Sequence, residues 1–185
     1  MAAAQAAGLG SVAPPPWHPD LVGALPDDLH QLVDGLDYPV FVVTAAAGEA
    51  RAGCLVGFVT QASIDPTRLL VFVSRANHTF EVAMAADHLA VHVLTEDNLP
   101  VARWFGQLTG DEVDKFSGVQ WEPGPGGTPV LADCRGWVVG RVLQRTDGGD
   151  HVGHLLDPVA AAVTGPPGPP LMFTAVRDLR PGHPA

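Results

Sequence analysis

Short strings of β-branched and aromatic residues recur along the chain with turn residues between them, and this alternation limits the fold more than any other feature. YPVFVVTA (38–45), AGCLVGFVTQASI (52–64), LLVFVS (69–74), HLAVHVL (88–94), GWVVGRVLQR (136–145), residues 150–161 and LMFTAV (171–176) all read as strands. The first two, joined through Gly48, predict a long hairpin. Asp65-Pro66 breaks the second strand, and LLVFVS is apolar throughout, as a strand buried on both faces would be. Thr146-Asp147-Gly148-Gly149 is a hairpin turn into residues 150–161. Helices fall between the strands. One starts at Pro26 with Leu29, Leu32, Val33 and Leu36 at helical spacing. A second is capped by Asn77 and runs to about Ala86, with Phe80, Ala83 and Met84 inward, and a third spans 96–108. Many strands with helical excursions predict a mainly β fold, an antiparallel barrel rather than a doubly wound α/β sheet.

With 185 residues, nearly half of them hydrophobic, the chain can bury a real core. One domain is expected over 26–178. The Ala-, Gly- and Pro-rich residues 1–25 read as a disordered arm without the features of a signal peptide, and 179–185 as a loose tail. The net charge of −10, with no basic run, argues against nucleic acid. No stretch approaches the ~18 apolar residues of a membrane-spanning helix. Cys54 and Cys134 sit in apolar contexts far apart, so reduced, buried thiols and a cytoplasmic setting are expected. No Gly cluster leads from a strand into a helix, and no GxxxxGK[ST], HExxH or GxSxG occurs. Nucleotide hydrolysis and serine or zinc hydrolysis lose their support.

Three readings compete for GDHVGHLL (149–156). On a helix, His151 and His154 would share a face and could hold a metal. On a strand, positions i and i+3 point to opposite faces. The Gly-Gly turn favours the strand, which leaves either a catalytic histidine or one satisfied by turn backbone. His88 and His92 share a face with no acidic or Cys partner, so no metal site is expected.

Six short strings occur together and in order: Gly53-Cys54, Ser63-Ile64-Asp65-Pro66, Arg75 to Thr79, Val91-His92-Val93-Leu94, Asp114-Lys115-Phe116 and Gly149-Asp150-His151. In this respect residues 38–160 resemble the flavin reductase-like family, which has the FMN-binding split-barrel fold. The resemblance implies a flavin-dependent oxidoreductase. NADH or NADPH would reduce FMN, or FAD, and the reduced flavin would serve a partner monooxygenase or another acceptor. It also implies a homodimer. Carried over position by position, the flavin would be held by Val56, Gly57, Phe58, Thr60, Gln61, Ala62 and Ser63, by Arg75, Asn77, His78 and Thr79, and by Lys115 and Phe116. His151 would line the nicotinamide side, with Asp150 fixing its tautomer, and His154 would face away. The residue chemistry of 75–79 agrees, since a cation and hydroxyl or amide donors at a helix start favour an anion.

The chain departs from the family at Leu55 and Phe58, where hydroxyl residues are usual, at Thr67, which replaces a second Pro, and at His78. Each phosphate oxygen left unpaired would cost ~1–3 kcal/mol unless backbone amides of 56–63, Thr60 or Gln61 took over. A non-catalytic protein that holds flavin, or another flat ligand, on the same fold is the alternative these positions motivate.

Overall fold

The computed structural model describes residues 25–110 and 113–179. The chain divides into two compact units, 1–36 and 37–185. In the first lies α1 (Leu25–Asp34), with Leu29, Leu32 and Val33, and Leu36 beyond it, all exposed. The arm expected over 1–25 lies outside the described residues except for Leu25, and so does the tail beyond Leu179.

In the second unit the strands are β1 (Phe41–Ala47), β2 (Ala50–Val56), β3 (Val59–Ile64), β4 (Thr67–Ser74), β5 (His88–Val93), β6 (Trp121–Pro123), β7 (Pro129–Leu131), β8 (Gly136–Asp147) and β9 (His151–Val163). Its helices are α2 (Thr79–Ala85) and α3 (Leu99–Gln107). Seven strands make one antiparallel sheet in the order β2-β1-β5-β8-β9-β4-β3, and β6 pairs with β7 in a small second sheet. The sheet does not close: β2 and β3 are its two edges. Yet only Gly57 and Phe58 separate them in the chain. Consecutive Cα atoms lie about 3.8 Å apart, so the two edges must meet at that corner. The sheet therefore curls into a barrel split between β2 and β3, as a mainly β, split-barrel reading requires.

Alternation along the strands sorts the core into two clusters. Val43, Ala45, Cys54, Val71, Val73, Leu89, Val91 and Leu156 fill the inside of the curl, with Val82 and Ala83 of α2. Val40, Val42, Leu94, Ala102, Phe105, Phe116 and Leu131 pack on the other face, beneath α3. On β1, Val42 serves one cluster and Val43 the other, which is why that strand is apolar without a break.

Three expectations need correction. The string 52–64 is not one strand of a long hairpin with 38–45. It breaks at Gly57, and only its first half pairs with β1, while β3 pairs with β4. LMFTAV is not a strand: it makes a single bridge, Met172 to Pro39, and then a short helical turn over Phe173–Ala175. On α2 it is Val82 and Ala83 that are buried, and Met84 is exposed. Ala83 is inward as expected and Phe80 packs against the first cluster, so only Met84 departs, with Val82 inward instead.

His92 is fully buried on β5 and bonded at both ring nitrogens. Nδ1–H donates to the Val42 carbonyl at 3.0 Å, and Nε2 accepts from the Leu131 amide at 3.0 Å. Burial pushes its pKa down from 6.5 to about 4, against the smaller opposing effect of the Val42 bond. The unfolded chain therefore binds this proton more tightly than the native one. The stability that His92 contributes is complete above about pH 6.5 and is lost as pH falls toward 4, by about 3 kcal/mol in all. Buried His154 has its pKa lowered too and adds slope of the same sign. The difference between wild type and His92→Gln isolates His92. Urea unfolding from pH 7 to pH 4 is expected to show a shallower loss in the variant.

Candidate functional site at the split of the barrel

The corner between β2 and β3 is where predicted site residues collect. Edge strands carry N–H and C=O groups that no neighbouring strand takes, and here the β2 edge borders an opening at the corner. A slot of about 120 Å³ lies at it. Val56, Gly57 and Phe58 of the corner, Asn77 before α2 and His151 at the start of β9 line it. Tyr38, Cys54, Leu55, Phe72, Ser74 and Phe173 complete the lining.

The β8–β9 turn presents His151. Gly149 has φ of +98°, a conformation that glycine adopts freely, and its amide donates to Asp147 Oδ1 at 2.9 Å. Arg75 braces the turn from β4. Its amide donates to the Asp150 carbonyl and its Nε to the Gly149 carbonyl, both at 2.9 Å, and its guanidinium pairs with Asp147 at 3.1 Å. Asp150 Oδ1 lies 2.8 Å from His151 Nδ1, and this bond holds the Asp150 carboxyl below its usual range. With Nδ1 committed to the carboxylate, Nε2 is the free position of the ring. The His151 ring meets Phe58 edge-on at 5.4 Å. His154 points to the opposite face. It is fully buried, with Nδ1 3.2 Å from the Val152 carbonyl.

The other predicted residues divide. Asn77 Oδ1 accepts from the Thr79 amide at 2.9 Å, so Asn77 both caps α2 and lines the slot. Thr79 is buried, with its hydroxyl against the Cys54 thiol. The His78 ring packs on Gly110, where a Cβ would come within 2.5 Å of it. Lys115 and Phe116 belong to a second cavity of about 300 Å³, which Arg51, Gly53, Gly110 and Asp114 also line. There Lys115 is buried and donates through Nζ to the Gly53 and Phe105 carbonyls, each at 3.0 Å, tying β2 to α3. Thr60, Gln61 and Ala62 stand exposed on β3, where the ladder shifts register between Gln61 and Ser63. Gln61 Nε2 donates to the Ser63 carbonyl. These four line neither cavity.

Tyr38, Ser74 and Phe173 are slot residues that sequence reasoning missed. Ser74 stood in a string already singled out. Tyr38 and Phe173 are 135 positions apart, and no local pattern announces that they meet. Burial, and after it the charge of Asp37, pushes the Tyr38 phenol up.

The split of the barrel thus carries a slot lined by aromatic and aliphatic side chains together with Ser74, Asn77 and a carboxylate-held histidine. The chain belongs to the flavin reductase like family, whose domain model matches residues 33–180. Stachydrine N-demethylase reductase subunit Stc3 of Rhizobium meliloti (strain 1021) is 32% identical over 114 residues, 60% of this chain and 48% of that protein. The flavin reductase domain protein from Arthrobacter sp. FB24 matches with TM-score 0.73 at 23% identity, over 86% of this chain and 95% of that one. The NADH:FAD oxidoreductase SgcE6 of Streptomyces globisporus C-1027, solved with NAD and FAD fragments, matches with TM-score 0.69 at 25% identity. That match covers 80% of this chain and 88% of the other. The chain spans about a fifth of the length of the diflavin flavoproteins of Nostoc sp. that it matches, and about half of Stc3.

Cys54 lines the slot wall, but burial pushes its thiol pKa up, as it does for Cys134. A thiol kept protonated is a poor nucleophile. Native protein is expected to react with Ellman's reagent at neither cysteine over a period in which urea-unfolded protein reacts at both. Rapid labelling of the native chain would contradict the packing described.

Proposed function

We propose that the chain is an NAD(P)H-dependent flavin reductase that binds FMN, with FAD as the possible second flavin, at the split. The observation that carries this reading is the meeting, at one corner, of edge-strand backbone, an aromatic and aliphatic slot, and the Asp150–His151 pair. An isoalloxazine ring needs such a flat apolar recess with a few backbone groups at its rim, so the residues present fit the group. When bound, flavin supplies the hydride acceptance that no side chain can. Val56 to Phe58 would lie along the ring, and Ser74 and Asn77 would meet its polar end. Arg75 would add positive charge there while bracing the turn. Thr60 to Ser63, His78, Thr79, Lys115 and Phe116 stay in the proposed binding set through the family's pattern. In this structure Thr79, Lys115 and Phe116 would support the strand and helix from behind.

His151 acts through its ring position. Asp150 holds the proton on Nδ1, which leaves Nε2 to accept a hydrogen bond from the nicotinamide co-substrate and to orient it. The proposed acceptor of the reduced flavin is a partner monooxygenase or another oxidant. That the Stc3 relative is named a reductase subunit supports a separate acceptor component. A homodimer is proposed as well, supported by the exposed Ile64, Val159 and Val163. A cytoplasmic setting is proposed from the two free, buried cysteines. Among the described residues no helix is long and apolar enough to cross a membrane.

A second reading has its own observation. Leu55 and Phe58 offer no hydroxyl to a phosphate, so the chain would hold flavin without turnover. A coupled assay separates the two. Wild type is expected to oxidise NADH or NADPH only when FMN or FAD is added. His151→Ala should lower kcat/KM for the nicotinamide nucleotide roughly tenfold or more, equivalent to about 1.4 kcal/mol of transition-state stabilisation. Full turnover by the variant would remove the role given to His151. Flavin binding without any oxidation would favour the second reading.

A further inference from the structure

We infer that Tyr38 and Phe173 form a ring-stacking wall of the flavin slot, and that Asp37 and Thr174 are positioning residues that hold this wall in place. The inference rests on the flavin reading of the slot and names the residues that grip the ring.

The two rings stack at 4.9 Å with 15° between their planes, and both line the slot. Their backbones are locked together, although residues 171–179 belong to no strand of the main sheet. The Val40 amide donates to the Leu171 carbonyl at 2.9 Å, and the Phe173 amide donates to the Tyr38 carbonyl at 2.8 Å. The Asp37 carboxylate accepts from the Thr174 amide at 3.0 Å and from its hydroxyl at 2.7 Å. A clasp with four hydrogen bonds thus fixes a pair of half-buried rings at the mouth of an opening.

Tyr38 also packs closely against the corner of the barrel. A Cβ on Gly57 would stand 2.4 Å from Tyr38 Cε2, so the bare backbone of Gly57 is what lets the ring approach. From there the aromatic line continues, with Phe58 at 6.0 Å from Tyr38 and then His151 at 5.4 Å from Phe58. Behind Phe173 opens a groove of about 180 Å³, lined by Val40, Val176 and Leu179 among others and, among the described residues, by no charged side chain. Phe173 packs on one side against the second core cluster, and both rings also present a side to the slot. A flat aromatic ligand entering there meets a face already held rigid, and offset stacking rewards that arrangement.

The test is a fluorescence titration of the full chain with FMN and FAD, alongside steady-state kinetics and a thermal melt of every variant. Tyr38→Ala and Phe173→Ala are expected to weaken flavin binding roughly tenfold and to raise the flavin KM more than they lower kcat. Tyr38→Phe keeps the ring and recovers the affinity, but it loses the phenol that quenches an excited flavin by electron transfer. Bound flavin should therefore fluoresce more brightly in that variant, which a merely structural tyrosine would not cause. Asp37→Ala is expected to weaken binding severalfold, and Asp37→Asn, whose amide oxygen can still accept from Thr174, to restore most of it. Flavin affinity unchanged within twofold in Tyr38→Ala, or unchanged bound-flavin fluorescence in Tyr38→Phe, would overturn the inference while leaving the flavin reading intact. Wild type that binds neither flavin would overturn both. Should the alanine variants fail to fold, the fluorescence of Tyr38→Phe still decides.

Discussion

Two residues, Gly57 and Phe58, join the two opposite edges of a seven-stranded sheet, and the rest of the molecule is arranged around that short link. A flat sheet of seven strands would hold its edges nearly 30 Å apart, at about 4.8 Å per strand spacing, far beyond the reach of two residues. Curling is thus forced by covalent geometry, and burial makes it favourable. The curl gives Val43, Val71, Val73, Leu89, Val91 and Leu156 a common interior, closed at one end by α2. The split itself remains because β2 and β3 do not hydrogen-bond to each other. Unpaired edges invite aggregation unless something covers them. Here Lys115 takes the Gly53 carbonyl, and Tyr38, Phe58 and Phe173 line the slot at the corner. A ligand with its own donors and acceptors is the natural complement of such an opening.

The polar residues of the slot sit at turns and strand ends because the strand middles are spent on the core. Asp150 and His151 emerge from a turn that Arg75 grips by three hydrogen-bonding groups, and Asn77 emerges from the same crossing, two residues later. Arg75 is therefore a brace before it is a partner for any phosphate. Its guanidinium still contributes positive charge near Ser74 and Asn77 in a chain of net charge −10. Arg145 does similar work at the other end of α2, donating to the Ala83 and Ala86 carbonyls that the helix leaves unpaired. With Asn77 at its start and Arg145 at its end, a helix of seven residues is held in one position against the barrel.

Much of this was legible in the sequence, and the exceptions have physical causes. Periodicity and turn chemistry marked β1, β4, β5, β8 and β9, and the parity of a strand separated His151 from His154. The break at Gly57 was hidden because AGCLVGFVTQASI stays apolar enough across it, and a strand's partner is a tertiary choice that local residues do not encode. LMFTAV has strand composition but pairs at only one position, Met172 with Pro39, because the chain then folds into a helical turn over Phe173–Ala175. Lys115 and Phe116 were legible as a motif, but not as residues of a cavity separate from the slot. That separation depends on which face of β2 each side chain reaches. Tyr38 and Phe173 were silent because their meeting depends on two segments 135 positions apart pairing beside the corner.

The substitutions at Leu55 and Phe58 take on a different meaning once their surroundings are known. Leu55 packs toward Gly106 of α3 and the groove with Leu179, and it also lines the slot. Phe58 stands between Tyr38 and His151 as the middle member of an aromatic line. In the flavin reading, the polar end of the ligand is thereby left to Ser74, Asn77 and the charge of Arg75, while aromatic contact grips the ring. Stacking contributes to binding without fixing a tail in place, so a chain built this way would discriminate weakly between FMN and FAD and release its flavin readily. That is the behaviour required of a reductase that treats flavin as a substrate to be passed on.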